Sequence, residues 1–517
     1  MPTNSESSWG YNAGGGVDVG DYSGKSILFD HVTANNTSIS RTTSGSDGNR
    51  KMWTQSVWVK KLSQGVAAHW ECSPFVATND GVAALYFDAN DFLESYFDEA
   101  PSSGREYGNG DINARKHRDP SAWMHIVWTV DAANTVQKVY INGVEETIAA
   151  TSTLHPMNVD YFMNKASTFH VIGIEGWAHA SAPTTSSANQ FLVANFVHLD
   201  GTFMTNAAAF TDKLGRFSPD TGEWVCIDPV DVTYGTHGFW LKFDDNTNDS
   251  SGNSNTWTNN NSCPFILDTP VNNFATLNPL WDDPSGTYAE GNLKFTPDSN
   301  YQLARASCGM TSGVWLWEQY ISTATVLVAG IAGEGSCGDN SYVGYDPDGN
   351  VYGFGWSLSA GVLYGAAGVG STTGASRQTG LSVVADGSIV TFTFDADNGV
   401  LKGYDDGTLV FTETGIDTYA IDGTTWFPAT SGYGTGDISH VNFGQNGSIN
   451  GNVTAQGNAD GNGYGDFTYI KDSALALCTA NLPDIEIGQE ADDLSHDHFN
   501  TRLYTGTGSS LAVTGVG

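Results

Sequence analysis

Between Trp123 and Asp131 the chain alternates: Met124, Ile126, Trp128 and Val130 fall on one side, and His125, Val127, Thr129 and Asp131 on the other. A two-residue period belongs to an extended strand, whose successive side chains point to opposite faces. Val127 is the one apolar residue on the otherwise polar side. Lys138 to Ile141 follows as a second strand, then Asn142-Gly143, then Val144 to Glu146. Asn-Gly between strands is the strongest short hairpin signal, because a tight turn of the right twist needs two residues at positive φ. Further runs that read as strands are Trp53 to Lys60, Phe169 to Gly173, Phe191 to Leu199 and Gly238 to Phe243. One short helix is expected, near Asn206 to Asp212.

The rest of the chain repeats this pattern. Val314 to Tyr320 and Val390 to Phe394 read as strands, and Asp395 to Gly399 as a turn into Val400 to Tyr404. Composition agrees: Gly numbers 61, aromatics make up 12% and charged residues only 15%. Aromatics suit a pleated, half-buried surface and Gly suits turns, whereas helix bundles draw on Ala, Leu, Glu and Lys. A chain of 517 residues exceeds one core. The expected fold is all-β, tandem antiparallel β-sandwiches. The expected division is a Gly/Ser-rich arm over 1–24, a β domain over 25–264, a linker over 265–291, a second β domain over 292–446, and a C-terminal segment over 447–517 that begins a further domain or continues beyond its last residue.

Charge and hydropathy exclude some function classes. Lys and Arg total 21 against 57 Asp and Glu, a net charge of −36. Such a surface repels phosphate backbones, so nucleic acid is not an expected partner. The longest apolar run, 324–332, has the length of a strand, so no membrane insertion is expected. The first residues lack the basic and apolar regions of a signal peptide, and a soluble chain is expected. Six cysteines are scattered without CxxC pairing, which points to isolated buried thiols; Cys308 with Cys337 is the pair to check.

The first β domain carries Ser38 to Arg41, Gly48 to Lys51 leading into Trp53-Thr54 and Trp58 to Lys60, Arg118 to Trp123, Tyr140 to Gly143, Ile172-Gly173, His198 to Gly201, Gly235 to Leu241 and Asp249 to Asn255. In these motifs it resembles the laminin-G-like, concanavalin-A-type jelly roll of marine-phage virion proteins. The second carries Ser312 to Glu318, Ala329 to Ala332, Phe394 to Gly399, Phe427 to Ala429 and Val441 to Gln445, and in these it resembles SPRY domains. Leu477 to Pro483 and Tyr504 to Gly508 look like the continuation in phage fibre-like proteins. The order of these motifs implies a virion protein: a tail fibre or tail-associated adhesin that binds a host-surface glycan or protein. It further implies a homo-oligomer, a trimer by analogy, assembled with other virion proteins. A capsid-surface fibre or decoration protein without receptor role is the second reading.

The third reading is a polysaccharide-degrading enzyme, because jelly rolls of this type include glucanases. Those carry an E-x-D-x-x-E strand that sets two carboxylates at retaining separation. The nearest stretch, Asp484 to Glu490, has the wrong order and spacing and lies outside the jelly roll. No G-x-S-x-G, HExxH or Walker motif replaces it, and a non-enzyme is expected.

Two kinds of binding residue stand out. Phe243 to Asn253 is dense in oxygen ligands, and Asp244, Asp245, Asp249 and Asn253 would hold Ca2+ if they converged on one point. The competing reading is Asx-turn chemistry. Asp346 to Asn350 imitates the start of an EF-hand loop, but Ser357 occupies the twelfth position and a hairpin turn is expected. For a host-surface carbohydrate, aromatics near loops are the candidates, because ring faces stack on sugars: Tyr107, Trp177 and Tyr364. In the SPRY-like domain, the small-residue stretch from Gly365 to Gly380 reads as a recognition loop or a subunit contact.

Overall fold

A computed structural model describes residues 18–32, 37–65, 77–78, 83–88, 90–97, 107–147, 160–173, 189–281, 286–298, 301–333, 342–344, 353–366, 374–416, 425–471 and 473–482. The described residues contain no α-helix. Where a short helix was expected, a single 3-10 turn spans Ala207–Ala209, capped by the Asn206 side chain on the Ala209 amide. No helix among the described residues is long and apolar enough to cross a membrane.

The fold is all-β, with two antiparallel sandwiches in series. In the first, an eight-stranded sheet runs in the order Val144–Glu145, Val136–Ile141, Trp123–Asp131, Met52–Lys61, Gln190–Asp200, Ser26–Asp30 and Phe265–Ile266, with Phe239–Leu241 pairing on Gln190–Asp200. It faces a four-stranded sheet of Thr258–Asn260, Ser38–Thr42, Phe169–Ile172 and Ala77–Thr78, and a three-stranded one of Ala83–Phe87, Phe92–Phe97 and Tyr107–Lys116. Met124, Ile126, Trp128 and Val130 lie in the core between these layers. The Asn142-Gly143 hairpin forms as expected, with φ of 49° and 77°.

The opposite side of the eight-stranded sheet differs from the simple alternation. It is buried as well. Val127 joins Trp58, Leu192, Val197, Phe210, Leu214 and Trp224 in a second apolar cluster, because the chain after residue 200 folds back over that face. His125 is stacked there between Trp58 and Trp224, accepts the Trp224 indole N–H at 2.8 Å, and is held by burial down to about 3. Val127 is therefore no intruder on a polar face; it belongs to an outer core.

In the second sandwich, one sheet runs Thr287–Ala289, Lys294–Thr296, Ile438–Asn442, Val314–Thr323, Ile389–Asp395, Val400–Asp405 and Thr408–Glu413, with Leu475–Ala476 added in parallel to Val314–Thr323. The other runs Tyr301–Arg305, Trp426–Tyr433, Val328–Gly333, Gly353–Ser357, Val362–Ala366 and Gly374–Thr379. Trp315, Trp317, Ile331, Phe354, Trp356, Phe392 and Phe394 fill the space between. The described residues after 447 return to this sandwich, where Phe467, Ala474, Ala476 and Cys478 cover Leu316. Glu318 lies under the same cover. Its carboxylate accepts the Tyr469 amide at 2.7 Å and the Thr468 amide at 3.0 Å.

A buried polar joint ties the two sandwiches. Phe265–Ile266, at the start of the expected linker, pairs with Ile27 and Ser26. Two residues on, Asp268 receives the Lys60 ammonium at 2.7 Å, with both side chains fully buried. The second carboxylate oxygen accepts the Trp123 indole N–H at 2.9 Å. Lys60 also donates to the Asn273 side chain at 2.6 Å, and Asn273 in turn donates to the Ser121 carbonyl at 2.7 Å. On the other flank, Asp30 accepts the Glu290 amide and Asn292 donates to the Leu62 carbonyl. A buried charge is tolerable only when paired and hydrogen-bonded in this way.

Candidate binding site

The site is built on the outer face of the six-stranded sheet of the second sandwich. Strand alternation puts Tyr301, Leu303 and Arg305 outward on one edge strand. Their partners Tyr433, Ser431 and Ala429 face the same way, followed by Val328, Gly330 and Ala332 on the next strand. The register then continues through Gly355 to Tyr364. The centre of this face is a floor of small residues. A methyl group on Gly330 would collide with the Phe354 carbonyl, and one on Gly355 with the Val343 carbonyl.

That bareness lets residues 342–344 lie directly on the sheet. Val343 is fully buried against Leu303, Val328, Ala332 and Ala429. Its amide donates to the Ser431 hydroxyl at 3.0 Å. Gly344, at φ 86°, sits against the Tyr364 carbonyl. Gly355→Ala is expected to lift this strap, at about 1–3 kcal/mol for overpacking. Hydrogen exchange at the Val343 amide would rise, while the sandwich core stays protected.

The strap completes a file of four tyrosines. Tyr433 and Tyr301 are a directly opposed cross-strand pair with ring centroids 5.1 Å apart. Tyr301 meets Tyr342 at 5.1 Å, and Tyr342 meets Tyr364 edge-on at 5.5 Å. Tyr433 is half exposed and the other three are partly buried. Among the described residues, no protein group hydrogen-bonds the hydroxyls of Tyr301, Tyr364 or Tyr433. At the far end of the same face, the Arg305 guanidinium lies 3.5 Å from the Trp281 ring centroid and 5.5 Å from that of Phe427. Its N–H donates to the Gly333 carbonyl. Trp281→Ala is expected to cost about 2 kcal/mol, the scale of a desolvated cation–π contact, in a chemical denaturation experiment.

Solved SPRY domains are similar to part of this chain. The SPRY domain of human HERC1 matches 31% of it, over 95% of its own length, at 16% identity and a TM-score of 0.24. The TRIM65 PSpry domain matches 32%, over 91% of its own length, at 10% identity and a TM-score of 0.25. No family model and no curated protein matches the chain. The sheets described above, and not these likenesses, define the two sandwiches.

Of the three aromatics proposed for sugar binding, Tyr364 and Tyr107 fall on strands of different sandwiches. Tyr364 lies within the Val362–Ala366 strand rather than a loop, and joins the tyrosine file. Tyr107 opens a strand of the first sandwich, opposite Phe97. Trp177 lies outside the described residues. The stretch from Gly365 to Gly380 contains a strand, Gly374–Thr379, paired with Val362–Ala366, so much of it is hairpin and not loop. Arg377 within it is bound to Glu413 at 2.7 Å.

Of the four residues proposed for Ca2+, the side chains of Asp245, Asp249 and Asn253 are each engaged separately, and Asp244 is met at its backbone carbonyl. The Asp245 carboxylate is turned to Lys25 Nζ at 2.6 Å. Asp249 accepts from the Trp240, Ser251 and Asn255 amides and the Ser251 hydroxyl. The Asn253 amide group donates to the Gly235 and Gly238 carbonyls, and the Asp244 carbonyl accepts from Asn246. This is the Asx-turn arrangement, in which the acids organise the loop. Among the described residues no three His, Cys, Asp or Glu side chains form a group that could hold a metal. The EF-hand-like stretch, Cys337 and the 484–490 acids lie outside the described residues. Cys226, Cys263, Cys308 and Cys478 are buried free thiols, and burial pushes Cys308 up to about 12.

Two assemblies leave no local mark in the sequence. Tyr301, Tyr342 and Tyr433 are far apart in the chain, and only strand register unites them. Likewise, the dispersed His170, His198 and His237 meet around Arg41 in the first sandwich, where burial is the main cause that lowers all three. Thr168 fixes the His170 ring, and Asn164 the His198 ring, so this group reads as neutral packing.

Proposed function

We propose that this chain is a non-catalytic phage virion protein, a tail fibre or tail-associated adhesin, whose two sandwiches carry a recognition surface outward from the particle. The observation that carries the reading is the tyrosine file: an aromatic surface on a floor of small residues, away from the core, with the Tyr301, Tyr364 and Tyr433 hydroxyls unengaged among the described residues. Tyrosine supplies large, stiff contact area with a polar tip at little entropic loss, which suits recognition. The fully hydrogen-bonded joint at Lys60 and Asp268 supports the role, because a displayed module works only if held in a set orientation. The ordered jelly-roll, SPRY-like and tail-segment motifs supply the virion context. The chain would assemble with other virion proteins as a homo-oligomer, a trimer by analogy.

Immunogold labelling of intact particles tests the location. Label at the tail, with the purified chain binding host cells, is the expected result. Label on the head together with no cell binding would instead favour a capsid decoration protein.

A further inference from the structure

We infer that the tyrosine file of the second sandwich is a subsite for an uncharged glycan chain. This rests on the adhesin reading and names its site and ligand class. Three observations select the occupant.

The first is area. A tyrosine side chain offers roughly 200 Å². Tyr433 at half exposure and three rings buried further therefore present well under about 400 Å², less than half of what each partner buries in a stable protein–protein interface. A patch of this size suits a short oligosaccharide better than a folded protein.

The second is charge. The row itself carries no ionised group, and the chain around it is at −36. That field opposes acidic polysaccharides and leaves neutral ones unaffected. The third is the pattern of polar groups. The hydroxyls of Tyr301, Tyr364 and Tyr433 are unengaged among the described residues. Each can donate to one sugar hydroxyl and accept from another. The rings beside them offer the apolar surface on which sugar C–H faces pack. An extended ligand would cross from Tyr433 and Tyr301, over Tyr342, to Tyr364.

The test uses the full chain and isothermal titration with neutral hexasaccharides (cello-, malto-, manno- and xylohexaose) and with polygalacturonate as the acidic control. Binding to at least one neutral hexamer is expected, weakened about tenfold or more by Tyr433→Ala. Tyr433 is half exposed, so this variant keeps the fold, which circular dichroism verifies. Tyr433→Phe keeps the ring and is expected to lose less. Neutral-glycan binding that Tyr433→Ala and Tyr364→Ala both leave intact would overturn the site while sparing the adhesin reading. Binding to polygalacturonate alone, or to host cells in a protease-sensitive way with no neutral hexamer bound, would overturn the ligand class. Binding to neither sugars nor cells would overturn the adhesin reading with it.

Discussion

Asp268→Ala is expected to destabilise the chain by about 3–5 kcal/mol, the range for breaking a buried ion pair by removing one partner. Lys60 Nζ would keep only the Asn273 side chain and the Phe274 carbonyl, with its charge fully buried. The Trp123 indole N–H would lose its acceptor too. The damage falls on the joint, so the variant's urea transition should become biphasic as the sandwiches uncouple. Lys60→Met with Asp268→Leu is the informative control. It removes both charges together, and such replacements are often neutral or stabilising. If the single variant unfolds at the wild-type midpoint, the joint does not hold the sandwiches in place.

The second large effect is pH dependence at Glu318. Burial pushes this carboxyl up to about 7, even though the Thr468, Tyr469 and Asn442 donors oppose the rise. A native pKa above the unfolded one means that the folded state holds the proton more tightly. Stability from this group is therefore fully present below about pH 4.5 and is lost as pH rises through 7. The span from 4.5 to about 7 corresponds to on the order of 3 kcal/mol between pH 4.5 and 8. Because Glu318 accepts the Thr468 and Tyr469 amides, the loss appears first as loosening of the chain after residue 447. Glu318→Gln removes this contribution while the buried neutral histidines shift both proteins alike, so the wild type should lose stability relative to the variant as pH rises from 4.5 to 8. A wild-type-minus-variant difference that stays flat or rises over that range would contradict the assignment.

The strands were legible because their period is local. The Trp123–Asp131 alternation and the Asn142-Gly143 turn each depend on a few neighbouring residues, and both formed. What covers the outer faces was not legible. Val127 looked misplaced because nothing near it in the chain announces Phe210 or Trp224. Glu318 looked like an ordinary strand acid, because its partners lie 150 and 151 residues away. The site was legible at one residue in four: Tyr364 was singled out, but its neighbours in the file come from two other strands and a strap. The Asp244 to Asn253 run shows the converse. Its composition fits cation binding and turn formation equally, and only the hydrogen bonds of Asp249 and Asn253 separate them.

Competition for adsorption tests the central claim most directly. The purified chain is mixed with host cells before the particles are added, and the adsorption rate is measured. The wild-type chain should slow adsorption in a dose-dependent way, and Tyr433→Ala at the same concentration should not. An adsorption rate that the wild-type chain leaves unchanged, or that the variant slows equally well, would contradict it.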